Sequence, residues 1–171
     1  MKHCKLPHID LEEYYQFVTF RTYHSLDDYL EKMYNLTIDN RKKQMLADEY
    51  LDRSSKGAYL NGECIDKVKE IILAKDGQWY EITALAVMPN HIHCMFKQLE
   101  SLGKIMKYIK AKTAIELNRT LGMRGQFWAD DYYDRAIRDE VHFATVYRYI
   151  LHNPLKAGLD DADRRVYSRY E

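Results

Sequence analysis

The chain has 171 residues, 46% of them hydrophobic and 30% charged, a balance that excludes a disordered chain. No run approaches the ~18 apolar residues of a membrane span. The 26 basic and 26 acidic residues cancel, which argues against a uniformly cationic nucleic-acid coat protein. A chain of this length buries roughly 70% of its unfolded surface, so its core needs neither disulfide nor structural metal. The Met1–Asp10 segment has no apolar stretch of signal-peptide type, and Cys4, Cys64 and Cys94 form no zinc or disulfide pattern. Both features fit a reducing cytoplasm.

In chain order, Tyr14–Tyr23 is aromatic and β-branched and reads as a strand. Ser25–Leu36 and Asp39–Leu51 read as short polar helices, capped by Ser25 and Asp39. Ser54–Gly62 is a loop. Glu63–Ala74 is helical, with Ile65, Val68 and Ile72 on one face. Asp76-Gly77 turns the chain into a strand over Trp79–Met88, and Pro89-Asn90 turns it again into a strand over His91–Lys97. Leu102–Leu121 is the next helix, ended by Gly122 and Gly125. Phe127–Ile137 is loop and then strand. Asp139 caps a last helix, Glu140 to about His152, which Pro154 closes because the residue before proline is pushed out of the α region. The order predicts an α+β fold, a ferredoxin-like β-α-β-β-α-β antiparallel sheet with an added C-terminal helix. Residues 1–171 read as one domain, with 25–62 as a helical insertion after the first strand.

The chemistry concentrates in three places. His91 and His93 alternate with Ile92 on a strand, so both imidazoles point to one face and could chelate a metal ion. The pair alone fits equally well two polar residues on a wet face. Tyr149 and Asn153 are four apart and share a helix face, although spacing does not select Tyr149 over Tyr147. Within Ser101–Arg124, Lys104, Lys107, Lys110, Lys112, Arg119 and Arg124 face a single acid, Glu116, a surplus of five positive charges. These lysines and Arg124, with Arg135 and Arg138, are candidate phosphate contacts. Trp128, Tyr132 and Tyr133 are candidate stacking residues.

Taken together, four segments resemble the HUH (His-hydrophobe-His) single-tyrosine transposases, in the branch associated with repetitive extragenic palindromes. They are Met88-Pro89-Asn90-His91-Ile92-His93, Lys110-Ala111-Lys112-Thr113-Ala114, Phe127-Trp128 through Tyr133-Asp134-Arg135-Ala136-Ile137-Arg138-Asp139, and Tyr149-Ile150-Leu151-His152-Asn153-Pro154-Leu155-Lys156-Ala157-Gly158-Leu159. Val18–Thr22 and Tyr167–Tyr170 are weaker echoes, so the resemblance runs from about Tyr14 to Tyr170. It implies an enzyme that cleaves and rejoins single-stranded DNA beside hairpins. Tyr149 would be the nucleophile that forms a 5′-phosphotyrosine link. His91, His93 and Asn153 would hold Mg²⁺ or Mn²⁺. The protein would be a cytoplasmic, nucleoid-associated monomer or homodimer with no membrane partner. Two other readings stay open: an inactive hairpin-binding protein on the same fold, and an unrelated zinc hydrolase that uses water rather than Tyr149.

Overall fold

The computed structural model describes residues 10 and 12–170. The first strand, β1 (Tyr15–Arg21), leads through a 3₁₀ turn at Tyr23–Ser25 into α1 (Asp28–Tyr34) and α2 (Asn40–Arg53). Then come α3 (Glu63–Leu73), β2 (Tyr80–Val87), β3 (His91–Gln98), α4 (Leu102–Leu121), β4 (Tyr133–Ala136), α5 (Glu140–Lys156), α6 (Ala162–Arg165) and β5 (Val166–Ser168). The five strands form one antiparallel sheet in the order β4-β1-β3-β2-β5. The first four strands have the ferredoxin-like order expected of the sequence. β5 is an addition on the β2 edge, held by Ala84–Ser168 and Ala86–Val166 pairing.

The sheet is covered on both faces. On one, Ile65, Val68 and Ile72 of α3 and Ile105 and Ile109 of α4 pack on Val18, Phe20, Ile92, Cys94 and Phe96. On the other, Val146 and Ile150 of α5 pack on Phe17, Ala84, Ala86 and Met95. Alternation along β3 therefore sends Ile92, Cys94 and Phe96 to the α3–α4 layer and His91 and His93 towards α5. A register shift between Ile82 and Ala84 inserts an extra residue into β2, so Ile82 and Leu85 both reach the α3–α4 layer.

Three expectations change. The first short helix starts at Asp28, not Ser25, because the Asp27 carboxylate accepts from the backbone N–H groups of Tyr29 and Leu30. Ser25 instead closes the 3₁₀ turn by donating to the Thr22 carbonyl at 2.7 Å. The last helix runs through Pro154 to Lys156. Packing overrides the local preference there: Asn153 is 2% exposed and Ile150 fully buried, and the Ala157 N–H still donates to the Asn153 carbonyl at 2.9 Å. Finally, α6 and β5 lie where no regular element was anticipated. No helix among the described residues is long and apolar enough to cross a membrane.

The α1–α2 pair stands apart. Leu30, Met33, Ala47 and Leu51 form a small apolar cluster of their own, separate from both sheet layers. Tyr29 stacks on Tyr50 with ring centroids 4.7 Å apart, and Tyr50 and Lys56 both bond to the Asp27 carboxylate.

Candidate active site

The site lies where α2 and α5 meet the central strand. His91 and His93 are wholly buried, and their Nε2 atoms are 3.1 Å apart. The neighbouring bonds set which ring nitrogens face each other. Asn90 spends its amide Nδ2 on the carbonyls of Leu51 at 3.0 Å and Ser54 at 3.2 Å. Its Oδ1 therefore accepts from His91 Nδ1–H at 2.7 Å, which leaves a lone pair on His91 Nε2. On the neighbouring strand, Thr19 Oγ1 lies 2.7 Å from His93 Nδ1, so Nε2 is again the nitrogen aimed into the site. Burial pushes His91 down to about 3 and His93 well below its usual range, so both rings are neutral at neutral pH. Neutral imidazole is the form that ligates metal.

α5 brings Tyr149 over this pair. Its ring centroid is 5.3 Å from that of His93 and 6.0 Å from that of Phe17. Its hydroxyl donates to Asp48 Oδ2 at 2.8 Å, and Gln44 Nε2 donates to Asp48 Oδ1 at 2.7 Å. Ligand atoms of Asp48, His91 and His93 all lie within 4.8 Å of one another. Asp52, one turn further along α2, places Oδ1 3.5 Å from His91 Nε2. Burial raises Asp48 to about 7 and Asp52 to about 6. Burial first, and then the Asp48 carboxylate, hold the Tyr149 phenol above its usual value. Asn153 is buried one turn from Tyr149, and its Nδ2 has no hydrogen-bond partner. The donor set, two imidazole nitrogens with a carboxylate beside them, suits a divalent ion.

The predicted DNA contacts divide between two faces. Tyr133 and Arg135 pair with Thr19 and Phe17 of β1 and share the histidine face. Arg138 is exposed beside them, and its backbone N–H donates to His142 Nδ1 at 3.2 Å. Burial and the charges of Arg135, Arg138 and Arg41 hold His142 below its usual value. Arg41, on α2, is thus a further cation on this side. Lys104, Lys107, Lys110 and Lys112 ride on α4, across the sheet from the histidines, with the exposed Arg124 just beyond that helix. Lys104 pairs with Glu100 at 2.6 Å, and Lys110 donates to the Ala129 carbonyl at 2.7 Å. Tyr132 packs against the α3–α4 layer. Trp128 corrects an expectation. It is 4% exposed, its Nε1 donates to Thr113 Oγ1 at 2.9 Å, and its ring packs edge-on to Phe20, so it is a core residue and not a stacking surface.

Sequence reasoning missed Asp48, Asp52, Gln44, Thr19 and Asn90. Gln44, Asp48 and Asp52 recur at four-residue spacing and so mark one helix face, but nothing local says what that face meets. Asn90 stands inside the His91–His93 motif, where the sequence marks it only as a turn residue.

A histidine pair on the central strand of an antiparallel sheet thus faces a tyrosine on a covering helix. The family described as "Transposase IS200 like" matches residues 52–153. The chain belongs to this family of DNA transposases. Among solved structures, a REP-associated tyrosine transposase bound to a REP hairpin is 16% identical, with a TM-score of 0.55 over 91% of this chain and 75% of that one. A candidate transposase from Deinococcus radiodurans R1 is 17% identical, with a TM-score of 0.49 over 90% of this chain and 98% of that one. No curated protein sequence matches the chain.

Proposed function

We propose that the chain is a single nuclease domain that cleaves and rejoins single-stranded DNA by transesterification at Tyr149. The observation that carries this reading is the convergence of the Tyr149 hydroxyl, the Asp48 carboxylate and both Nε2 atoms in one buried cluster.

The roles follow from the chemistry. His91 and His93 offer their Nε2 lone pairs, held in position by Asn90 and Thr19. Asn153 offers its amide oxygen from the helix that carries Tyr149, and Asp48 adds a carboxylate while α2 is docked. A divalent ion, Mg²⁺ or Mn²⁺, would supply stabilisation of developing charge on the phosphate oxygens. The Tyr149 oxygen bonds to phosphorus as the P–O3′ bond breaks. The 5′ side stays on the enzyme as a phosphotyrosine. The phenol loses a proton and the released 3′ oxygen gains one, so the step balances. The covalent link conserves the phosphodiester for rejoining, which water attack would not.

Arg135, Arg138 and Arg41 would hold DNA phosphates near the site. Lys104, Lys107, Lys110, Lys112 and Arg124 would hold strand or hairpin leaving across the sheet. A hairpin substrate is proposed because the structural relative is bound to one. Such a protein would work in the cytoplasm, at the nucleoid.

The test is cleavage of labelled single-stranded DNA carrying a hairpin, with Mg²⁺, Mn²⁺ or EDTA. Metal-dependent cutting that Tyr149→Phe abolishes is expected. Binding without cutting would mean a hairpin-binding protein, and zinc-supported cutting that survives Tyr149→Phe would mean a hydrolase.

A further inference from the structure

A nuclease whose substrate is a DNA strand needs its phosphate-binding groups within reach, yet His91 and His93 have no exposed surface and Asp48 is only 5% exposed. The histidines are covered by Tyr149 of α5 and by the Asp48–Asp52 face of α2. The Asp48 carboxylate accepts from the Tyr149 hydroxyl at 2.8 Å while lying within 4.8 Å of both imidazoles. In the transesterification proposed above, an anionic oxygen close to both nucleophile and metal ligands belongs to the scissile phosphate. Asp48 stands in that place. We infer that Asp48 is a built-in mimic of the scissile phosphate, and that the α1–α2 pair is an autoinhibitory lid which DNA must displace.

The fold allows such a motion. The α1–α2 pair has its own apolar cluster, so it can lift without opening either sheet layer. Its C-terminal end is tied down by Asn90, which donates to the carbonyls of Leu51 and Ser54. That end is the hinge. Asp48, one turn earlier on α2, swings with the lid. The Tyr149–Asp48 bond is its latch. Lifting leaves His91, His93, Tyr149 and Asn153 in place on β3 and α5. This inference rests on the reading of that cluster as the nuclease site.

The first readout uses neither metal nor DNA. Diethyl pyrocarbonate modification of His91 and His93 is followed by mass spectrometry, with the exposed His24 and His152 as references in the same molecule. In the wild type the buried pair should react far more slowly than the references. Loss of one hydrogen bond shifts an opening equilibrium by about 2- to 10-fold, so Tyr149→Phe and Asp48→Ala, each of which removes one partner of the latch bond, should speed modification by that factor. Leu30→Ala, in the lid's own cluster, should do the same, whereas Val68→Ala, in the α3–sheet layer, should not. The second readout is affinity for a short single-stranded oligonucleotide. Asp48→Asn should bind several-fold more tightly than Glu49→Gln, the same carboxylate-to-amide change at an exposed α2 position.

Equal modification rates in wild type and latch variants, or equal DNA affinity for Asp48→Asn and Glu49→Gln, would overturn the lid. If the lid fails these tests while the wild type still cleaves DNA through Tyr149, only this inference falls. If the latch variants expose the histidines yet no form ever cuts, the nuclease reading falls instead.

Discussion

Arg165 ties the C-terminal segment to the sheet that carries the histidines, and its replacement by methionine should destabilise the whole chain. The residue is 2% exposed. Its Nη1 donates to the carbonyls of Leu60 and Val87, both at 2.9 Å, Nη2 donates to Asn61 Oδ1 at 2.7 Å, and Nε donates to Asp161 Oδ1 at 2.6 Å. The Asp161 carboxylate is 40% exposed, so water replaces that partner at little cost. The two backbone carbonyls are interior. A buried acceptor left without a donor costs about 1–3 kcal/mol, so the pair should cost about 2–6 kcal/mol. For a chain of this size each kcal/mol lowers Tm by about 2–4 °C, which puts the expected fall near 10 °C. Thermal unfolding followed by circular dichroism measures it directly. Arg165→Lys should sit between the two, because an ammonium cannot fork to both carbonyls and Asn61 together. A methionine variant within about 3 °C of wild type would refute the reasoning. It would mean that the carbonyls find other donors.

Three other outcomes follow from the site. Thr19→Val removes the partner of His93 Nδ1 and should weaken Mn²⁺ binding by about 10- to 100-fold in isothermal titration, with the fold intact by circular dichroism. Asn90→Ala frees both the His91 ring and the end of α2, so it should lower metal affinity and speed amide exchange in α2 together. The third concerns pH. Burial raises Asp48 to about 7 from an ordinary value of 3.8. Between those values the folded metal-free chain holds a proton that the unfolded chain has released, so stability falls as pH rises from about 4 to about 7. The Tm of metal-free wild type should therefore drop more steeply over that window than that of Asp48→Asn, and parallel curves would contradict the assignment.

The sheet was legible because its signals are local. The alternation through His91–Cys94, the Pro89-Asn90 turn and the Ile65–Val68–Ile72 stripe each report a period that backbone geometry imposes. Motif order singles out the histidine pair and Tyr149, and the fold brings the three side chains together. Asp48 was not, because its role depends on where α2 docks, and that is set by contacts between residues about 100 positions apart, such as Tyr149 to Asp48. Pro154 misled for the opposite reason: its local preference is real, but burial of the surrounding helix turn outweighs it. Trp128 was misassigned because an indole reads the same in sequence whether it faces a base or Phe20.

The proposed transesterification requires that Tyr149 attack DNA. The most direct measurement traps the protein on a single-stranded substrate with Mn²⁺, digests the adduct and maps the nucleotide-bearing peptide by mass spectrometry. A 5′-phosphodeoxynucleotide on Tyr149 is expected, with no adduct in Tyr149→Phe or in EDTA. A nucleotide on another tyrosine, or cleavage with no covalent adduct at all, would contradict it.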